Sequence, residues 1–209
     1  MNANKLDHLV ITAPSLEIGT QWIYEHLGVK PQTGGEHIRM GTHNCLLKLG
    51  QDIYLEVIAL NPKVYAQRPR WFGLDQKSHN FKPSLATWVI NTPNIQQTLQ
   101  KATEELGNIE SMSRGLLNWL ITIPYDGSLP LQGIAPVLIE WQSTPHPATH
   151  LTDHHLSLLK LKLFHPEPER IQNLITSLSL VTTKAVEISF AKQCAIMAYI
   201  ETPQGIKLL

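Results

Sequence analysis

Asp7-His-Leu-Val-Ile-Thr-Ala-Pro-Ser-Leu16 returns 79 residues later as Ala86-Thr-Trp-Val-Ile-Asn-Thr-Pro-Asn-Ile95. Each copy is a short Val/Ile-rich run, β-prone because branched side chains suit a pleated surface, followed by Pro and then an N-cap residue, Ser15 or Asn94. Ile18, Trp22, Ile23 and Leu27 form a helical stripe after the first copy, and Ile95, Leu99, Ala102 and Leu106 after the second. Gly28 and Gly107 share the same offset and read as the glycines that end those helices with positive φ. Asn94 with Gln97 reads as a capping box. An internal repeat of this kind decides the fold before any single element does.

Both copies continue with β-prone runs. Gly41-Thr-His-Asn-Cys-Leu-Leu-Lys-Leu49 aligns with Gly115-Leu-Leu-Asn-Trp-Leu-Ile-Thr-Ile123, and Tyr54-Leu-Glu-Val-Ile-Ala59 aligns with Leu138-Ile-Glu-Trp-Gln-Ser143, which sets Glu56 on Glu140. The reading is an α+β protein of paired β-α-β-β-β modules that form a cup-shaped sheet. Residues 1–62 are the first module and 84–143 the second, with 63–83 as a connecting loop. A linker over 144–154 leads to a degenerate third module over 155–209, with Ile171, Leu174, Ile175 and Leu178 as its helical stripe. The loop contains Arg68-Pro-Arg-Trp-Phe-Gly-Leu74, too apolar for solvent coil, and reads as a lid or site wall.

Composition narrows the partners. The chain has 209 residues, is 43% hydrophobic and 16% charged, and balances 17 basic against 17 acidic residues. A chain without net positive charge has no electrostatic pull toward phosphate backbones or anionic lipid, so neither nucleic acid nor membrane is expected. No apolar run approaches the ~20 residues that span a bilayer, and the first residues lack the apolar core of a signal peptide. Two cysteines, Cys45 and Cys194, make no disulfide framework. A soluble, cytoplasmic protein with a small-molecule partner is the expectation. Module pairing within one chain or across a homodimer is equally compatible with the sequence.

His8, Glu56 and Glu140 each sit mid-strand between apolar neighbours. A buried carboxylate without a partner is costly, so something must accompany it. Two carboxylates and an imidazole meeting at one point describe a divalent-cation site or an acid/base site, with Glu56 and Glu140 as the proton-moving groups. The competing reading puts each Glu on an exposed edge strand. Trp71, Trp88 and Trp119, with Trp141, are expected in the core or lining the cup, where they suit a flat or apolar ligand. His37 and His43 flank Gly41, and His43 is the lining candidate of the two. Asn44, aligned with Asn118, reads as a turn residue.

Asp-His-Leu-Val-Ile, the glycine-ended helix, Gly-Thr-His-Asn and Tyr-Leu-Glu-Val-Ile-Ala together resemble the glyoxalase-like proteins of the glyoxalase, bleomycin-resistance and extradiol-dioxygenase (vicinal oxygen chelate) superfamily. The resemblance extends over essentially the whole chain. It implies a divalent metal (Zn, Ni, Fe, Mn or Mg) on His8, Glu56 and Glu140, with Thr87 at the fourth ligand place. The function it implies is a metal-dependent lyase, isomerase or dioxygenase acting on a small molecule with vicinal oxygens. A metal-free ligand-sequestering protein of the bleomycin-resistance type is the alternative.

Overall fold

The computed structural model describes residues 3–181 and 185–209. The first module runs β1 (Lys5–Thr12), α1 (Leu16–Leu27), β2 (Gln32–His37), β3 (Thr42–Lys48) and β4 (Tyr54–Leu60). The second runs β5 (Ser84–Asn91), α2 (Ile95–Lys101), β6 (Asn108–Arg114), β7 (Leu117–Ile123) and β8 (Val137–Trp141). All eight strands form one sheet in the order β2-β3-β4-β1-β5-β8-β7-β6, so the modules pair within a single chain, through β1 and β5.

The β1–β5 register carries the repeat. Leu9 lies opposite Trp88, its own counterpart at an offset of 79, while His8 pairs with Val89 and Val10 with Thr87. A pseudo-dyad therefore passes through the Leu9–Trp88 pair. The ladder skips one residue at Asp7 on β1 and one at Ala86 on β5, again 79 apart. Each skip is a β-bulge, which locally redirects side chains and sharpens the twist.

Ser15 caps α1 by accepting from the Ile18 N–H at 3.2 Å, and Gly28 ends it at φ 74° with its N–H on the Tyr24 carbonyl. The helix packs through Gly19, where a Cβ would come within 2.5 Å of Val57 Cγ1. Ile23 and Leu27 are buried as expected, but Ile18 is exposed. In the second module Asn94 accepts from the Gln97 N–H at 2.9 Å, yet α2 stops at Lys101, short of Gly107. The positive φ of Gly107 serves another purpose: its backbone runs against that of Ile123 and Pro124, where a side chain would collide.

Residues alternate across the strands between two cores. Leu9, Ile11, Leu55, Val57, Trp88 and Leu138 face the helices and the third module on the convex side. Val10, Ile58, Val89, Trp119, Ile121, Val137 and Ile139 face the concave side, which is capped by Trp71, Phe72 and Leu74 of the long loop. That loop is thus a site wall. The outer edges β2 and β6 meet, and Glu110 of β6 pairs with Arg39 of the first module and Arg68 of the connecting loop, each at 2.7 Å.

The third module repeats the element order with β9 (Ser157–His165), α3 (Pro168–Ser177), β10 (Val186–Phe190), β11 (Ala195–Thr202) and β12 (Gly205–Leu208). Its sheet order is β10-β9-β11-β12, so the strand after the helix pairs directly with the first strand instead of crossing to the far edge. The degeneracy is one of pairing as well as sequence. Among the described residues no helix is long and apolar enough to cross a membrane.

Candidate functional site

The Asp7 bulge builds the centre. Successive strand side chains normally point to opposite faces, but here Asp7 and His8 lie side by side, with His8 Nδ1 2.6 Å from Asp7 Oδ1. Asp7 Oδ2 accepts from Trp141 Nε1 at 2.9 Å, Asn91 Nδ2 at 3.0 Å and His146 Nε2 at 3.0 Å. Burial alone would raise the Asp7 pKa. Hydrogen bonds from His146 and His8, and the charge those rings carry when protonated, outweigh it and hold the carboxyl well below the usual range. An ionised Asp7 fixes the His8 proton on Nδ1 and leaves Nε2 turned into the cup.

Glu56, on β4, meets that nitrogen. Its Oε2 lies 3.6 Å from His8 Nε2, and its Oε1 accepts from Asn44 Nδ2 at 2.5 Å. Tyr54 stacks on His8 with ring centroids 4.5 Å apart, and burial, then the charges of Asp7 and Glu56, push its phenol well above the ordinary value. Asn44 Oδ1 accepts from the Gly35 N–H at 2.8 Å and from Arg114 Nη1 at 2.9 Å. Gly34 has to be glycine here, because a Cβ would overlap Asn44 Oδ1.

His37 and Trp71 both hydrogen-bond to Thr42 Oγ1, and His37 Nε2 faces Arg114 Nη1 at 3.5 Å. Burial, helped by the Arg114 and His43 charges, lowers the His37 pKa to about 3, so its ring is neutral. Inside these groups lies a chamber of about 20 Å³, room for one water. His37, Trp71, Arg114 and Trp119 separate it from an outer groove of about 360 Å³.

The structure brings His8 and Glu56 together but not Glu140. Register explains why. Val10 pairs with Glu56, and Val89, its counterpart, pairs with Val137, so Val137 rather than Glu140 occupies the Glu56 place in the second module. The alignment that matched the two glutamates is three residues out, and an odd shift moves a side chain to the other face. Glu140 instead accepts from the Ile95 N–H at 2.7 Å and from Gln142 Nε2 at 2.6 Å, where a carboxylate complements the start of α2. Thr87 is fully buried, and its hydroxyl donates to the Gly133 and Ala135 carbonyls.

Trp71 and Trp119 line the chamber, whereas Trp88 belongs to the convex core and donates to the Ile134 carbonyl at 2.9 Å. His43 lies on the outer side of β3, beside Leu60 and Arg70. The sequence reading missed Asp7, Asn44, Tyr54 and Arg114. Asn44 was hidden by the same slip: the β3–β4 and β7–β8 registers place Ile121, not Asn118, in its position.

The donor set does not fit the metal that the resemblance implies. Of the four symmetry-related places, His8 and Glu56 can ligate, the Thr87 hydroxyl is spent on backbone carbonyls, and Val137 has no donor. The neighbouring Asn44 oxygen already faces a guanidinium. Among the described residues no three His, Cys, Asp or Glu side chains converge to hold a metal ion.

A two-module cup with an imidazole and a carboxylate at its closed end is the architecture that the resemblance to glyoxalase-like proteins implies. Residues 6–179 match the model of the Glyoxalase-like domain family, and the chain belongs to that family. Among solved structures, a hypothetical protein from Staphylococcus aureus aligns with a TM-score of 0.64 at 14% identity, covering 92% of this chain and 88% of its own. Methylmalonyl-CoA epimerase from Mycobacterium tuberculosis aligns at 0.39 and 17% identity, covering 69% of this chain and 91% of its own. A triple mutant of 4-hydroxymandelate synthase from Streptomyces coelicolor aligns at 0.43 and 13% identity, covering 98% of this chain and 61% of its own. These likenesses are of fold. No curated protein matches the chain.

Proposed function

We propose that the protein is an enzyme of lyase or isomerase type that moves a proton on a small oxygen-bearing molecule, with Glu56 as the base. The observation that carries this reading is the Asp7–His8–Glu56 chain at the closed end of the cup, with 2.6 Å and 3.6 Å between successive groups. Asp7 sets the His8 tautomer, and Asn44 holds Glu56 Oε1, so that Glu56 Oε2 and His8 Nε2 are the two atoms left facing the chamber. A carbon acid beside a carbonyl, placed at that point, would give its proton to Glu56 Oε2. Glu56 would then return that proton to the product, to carbon directly or to the oxygen on which charge develops by way of His8 Nε2, 3.6 Å away, so that the step is balanced in protons. A positioned base of this kind contributes roughly 10²–10⁴-fold to such a step. Trp71, Phe72, Trp119 and Trp141 line the chamber and leave room for no more than about one water beside the reacting atoms.

The test is deuterium incorporation beside the carbonyl of pyruvate, 2-oxobutyrate, lactaldehyde and dihydroxyacetone in D₂O, followed by proton NMR. Wild type should accelerate incorporation into at least one of them, and Glu56→Gln should lose at least about a hundredfold of that rate while keeping its melting temperature. Binding of these compounds with no incorporation by the wild type overturns the enzymatic reading in favour of a ligand-sequestering protein, which the aromatic lining would also serve.

A further inference from the structure

The chain has five arginines. Four are held by carboxylates: Arg39 and Arg68 by Glu110, Arg70 by Asp75, and Arg170 by Glu104 and Glu167. Arg114 forms no ion pair among the described residues; its hydrogen-bond partners are the Asn44 amide oxygen at 2.9 Å and, at a long 3.5 Å, His37 Nε2. Both of these engage Nη1, which leaves Nε and Nη2, the side-on fork that matches the two oxygens of a carboxylate. The arm is seated, because Gly35 offers no side chain and a Cβ there would come within 2.6 Å of Arg114 Cδ.

Position matters as much as pairing. Arg114 lines both the inner chamber and the outer groove, with Trp71 and Trp119 beside it in each. A half-buried cation against aromatic walls, with no carboxylate paired to it among the described residues, is electrostatically incomplete, and an anion sharing the site completes it. His37 does not compete with Arg114 for that anion, because its ring stays uncharged. Only the Asn44 amide separates the guanidinium from Glu56, so a molecule held on Arg114 sets its next carbons before the Glu56 and His8 atoms.

We propose that the ligand is a small carboxylic acid, gripped side-on through its carboxylate by Arg114 and extending from there toward Glu56. This rests on the proton-transfer reading only in taking the same pocket as the site. Size follows from the two spaces: the reacting end is no larger than a water-sized chamber accepts, and any bulk lies in the groove on the Arg114 side.

The test titrates pyruvate, 2-oxobutyrate and phenylacetate, each against its neutral amide, using the fluorescence of the pocket tryptophans. Wild type should bind at least one acid at least tenfold more tightly than its amide. Arg114→Gln should erase that preference. Arg114→Lys should keep the preference in weakened form, since a point charge replaces the fork, with circular dichroism melts showing that both variants fold. Inorganic phosphate should compete more weakly than the best acid. Equal binding of acids and amides, no acid binding, unchanged preference in Arg114→Gln, or phosphate binding more tightly than every acid overturns the proposal. Deuterium incorporation into dihydroxyacetone without acid preference would leave proton transfer standing and sink the carboxylate site. Acid preference kept in Glu56→Gln, with no incorporation by the wild type, would do the reverse.

Discussion

His37→Gln removes a buried histidine whose neutrality has a pH cost. The ordinary imidazole pKa of 6.5 falls to about 3 here, first through burial, then through the neighbouring Arg114 and His43 charges. Below pH 6.5 the unfolded chain takes up a proton at this position that the folded chain refuses, so stability falls with falling pH until the folded pKa is reached. At ~1.4 kcal/mol per pKa unit, His37 alone withdraws about 2 kcal/mol between pH 7 and pH 5. Asp7 works in a lower window. Its depressed pKa gives stability that is complete above the unfolded value of 3.8 and is lost only as pH falls below that value toward the folded one. Urea unfolding at pH 7 and pH 5, in buffers free of carboxylates so that Arg114 takes up nothing, isolates the histidine. His37→Gln should start about 1–2 kcal/mol lower at pH 7, from the lost ring contacts and hydrogen bonds. Across that interval wild type should lose about 2 kcal/mol more than the variant, since His43, whose pKa burial also lowers, contributes equally to both. Parallel pH dependence in the two proteins would refute the reasoning.

Three further outcomes follow from the geometry. Asp7→Asn places an amide donor among four donors, and should lower stability by about 2–4 kcal/mol in urea melts while removing most of the Glu56-dependent deuterium incorporation. Gly34→Ala drives a methyl into Asn44 Oδ1, so it should cut incorporation more than tenfold while far-ultraviolet circular dichroism remains native; wild-type activity would show that Asn44 does not position Glu56. Thr87→His combined with Val137→Glu fills both vacant symmetry-related places, and should create a Zn²⁺-dependent rise in melting temperature that the wild type lacks; no rise would mean that the register does not carry Val137 onto Glu56.

The part of the fold legible in the sequence was the part with strong local signals. The offset of 79 holds across β1 and β5 because Pro, cap residue and Val/Ile run recur together, and Ser15, Gly28 and Asn94 do at the α1 and α2 ends what their chemistry demands. The later strands gave no such anchor. Val137-Leu-Ile-Glu-Trp141 is apolar on both faces, so nothing in it fixes which residues point inward, and a matching Glu drew the alignment three residues out of register. Half of the site was lost with it: Glu140 was gained wrongly and Asn44 dismissed. Asp7 was beside the motif all along, but an alternating strand would have pointed it away from His8, and only the bulge makes it a partner. Arg114 and His146 reach the site across large sequence separations, and no spacing rule could have gathered them.

The two bulges are the same feature, one in each half of the molecule, yet Asp7-His8 stands at one and Ala86-Thr87 at the other. The backbone irregularity is thus common property of the repeat, and the chemistry belongs to a single copy. One half of the molecule supplies Asp7, His8 and Glu56 to the proposed centre, and the other frames it, lending Arg114, Trp119 and Trp141. For anyone remodelling this protein, the Ala86 bulge is a ready seat: the chain there already makes the turn that an adjacent acid and imidazole need in order to stand side by side.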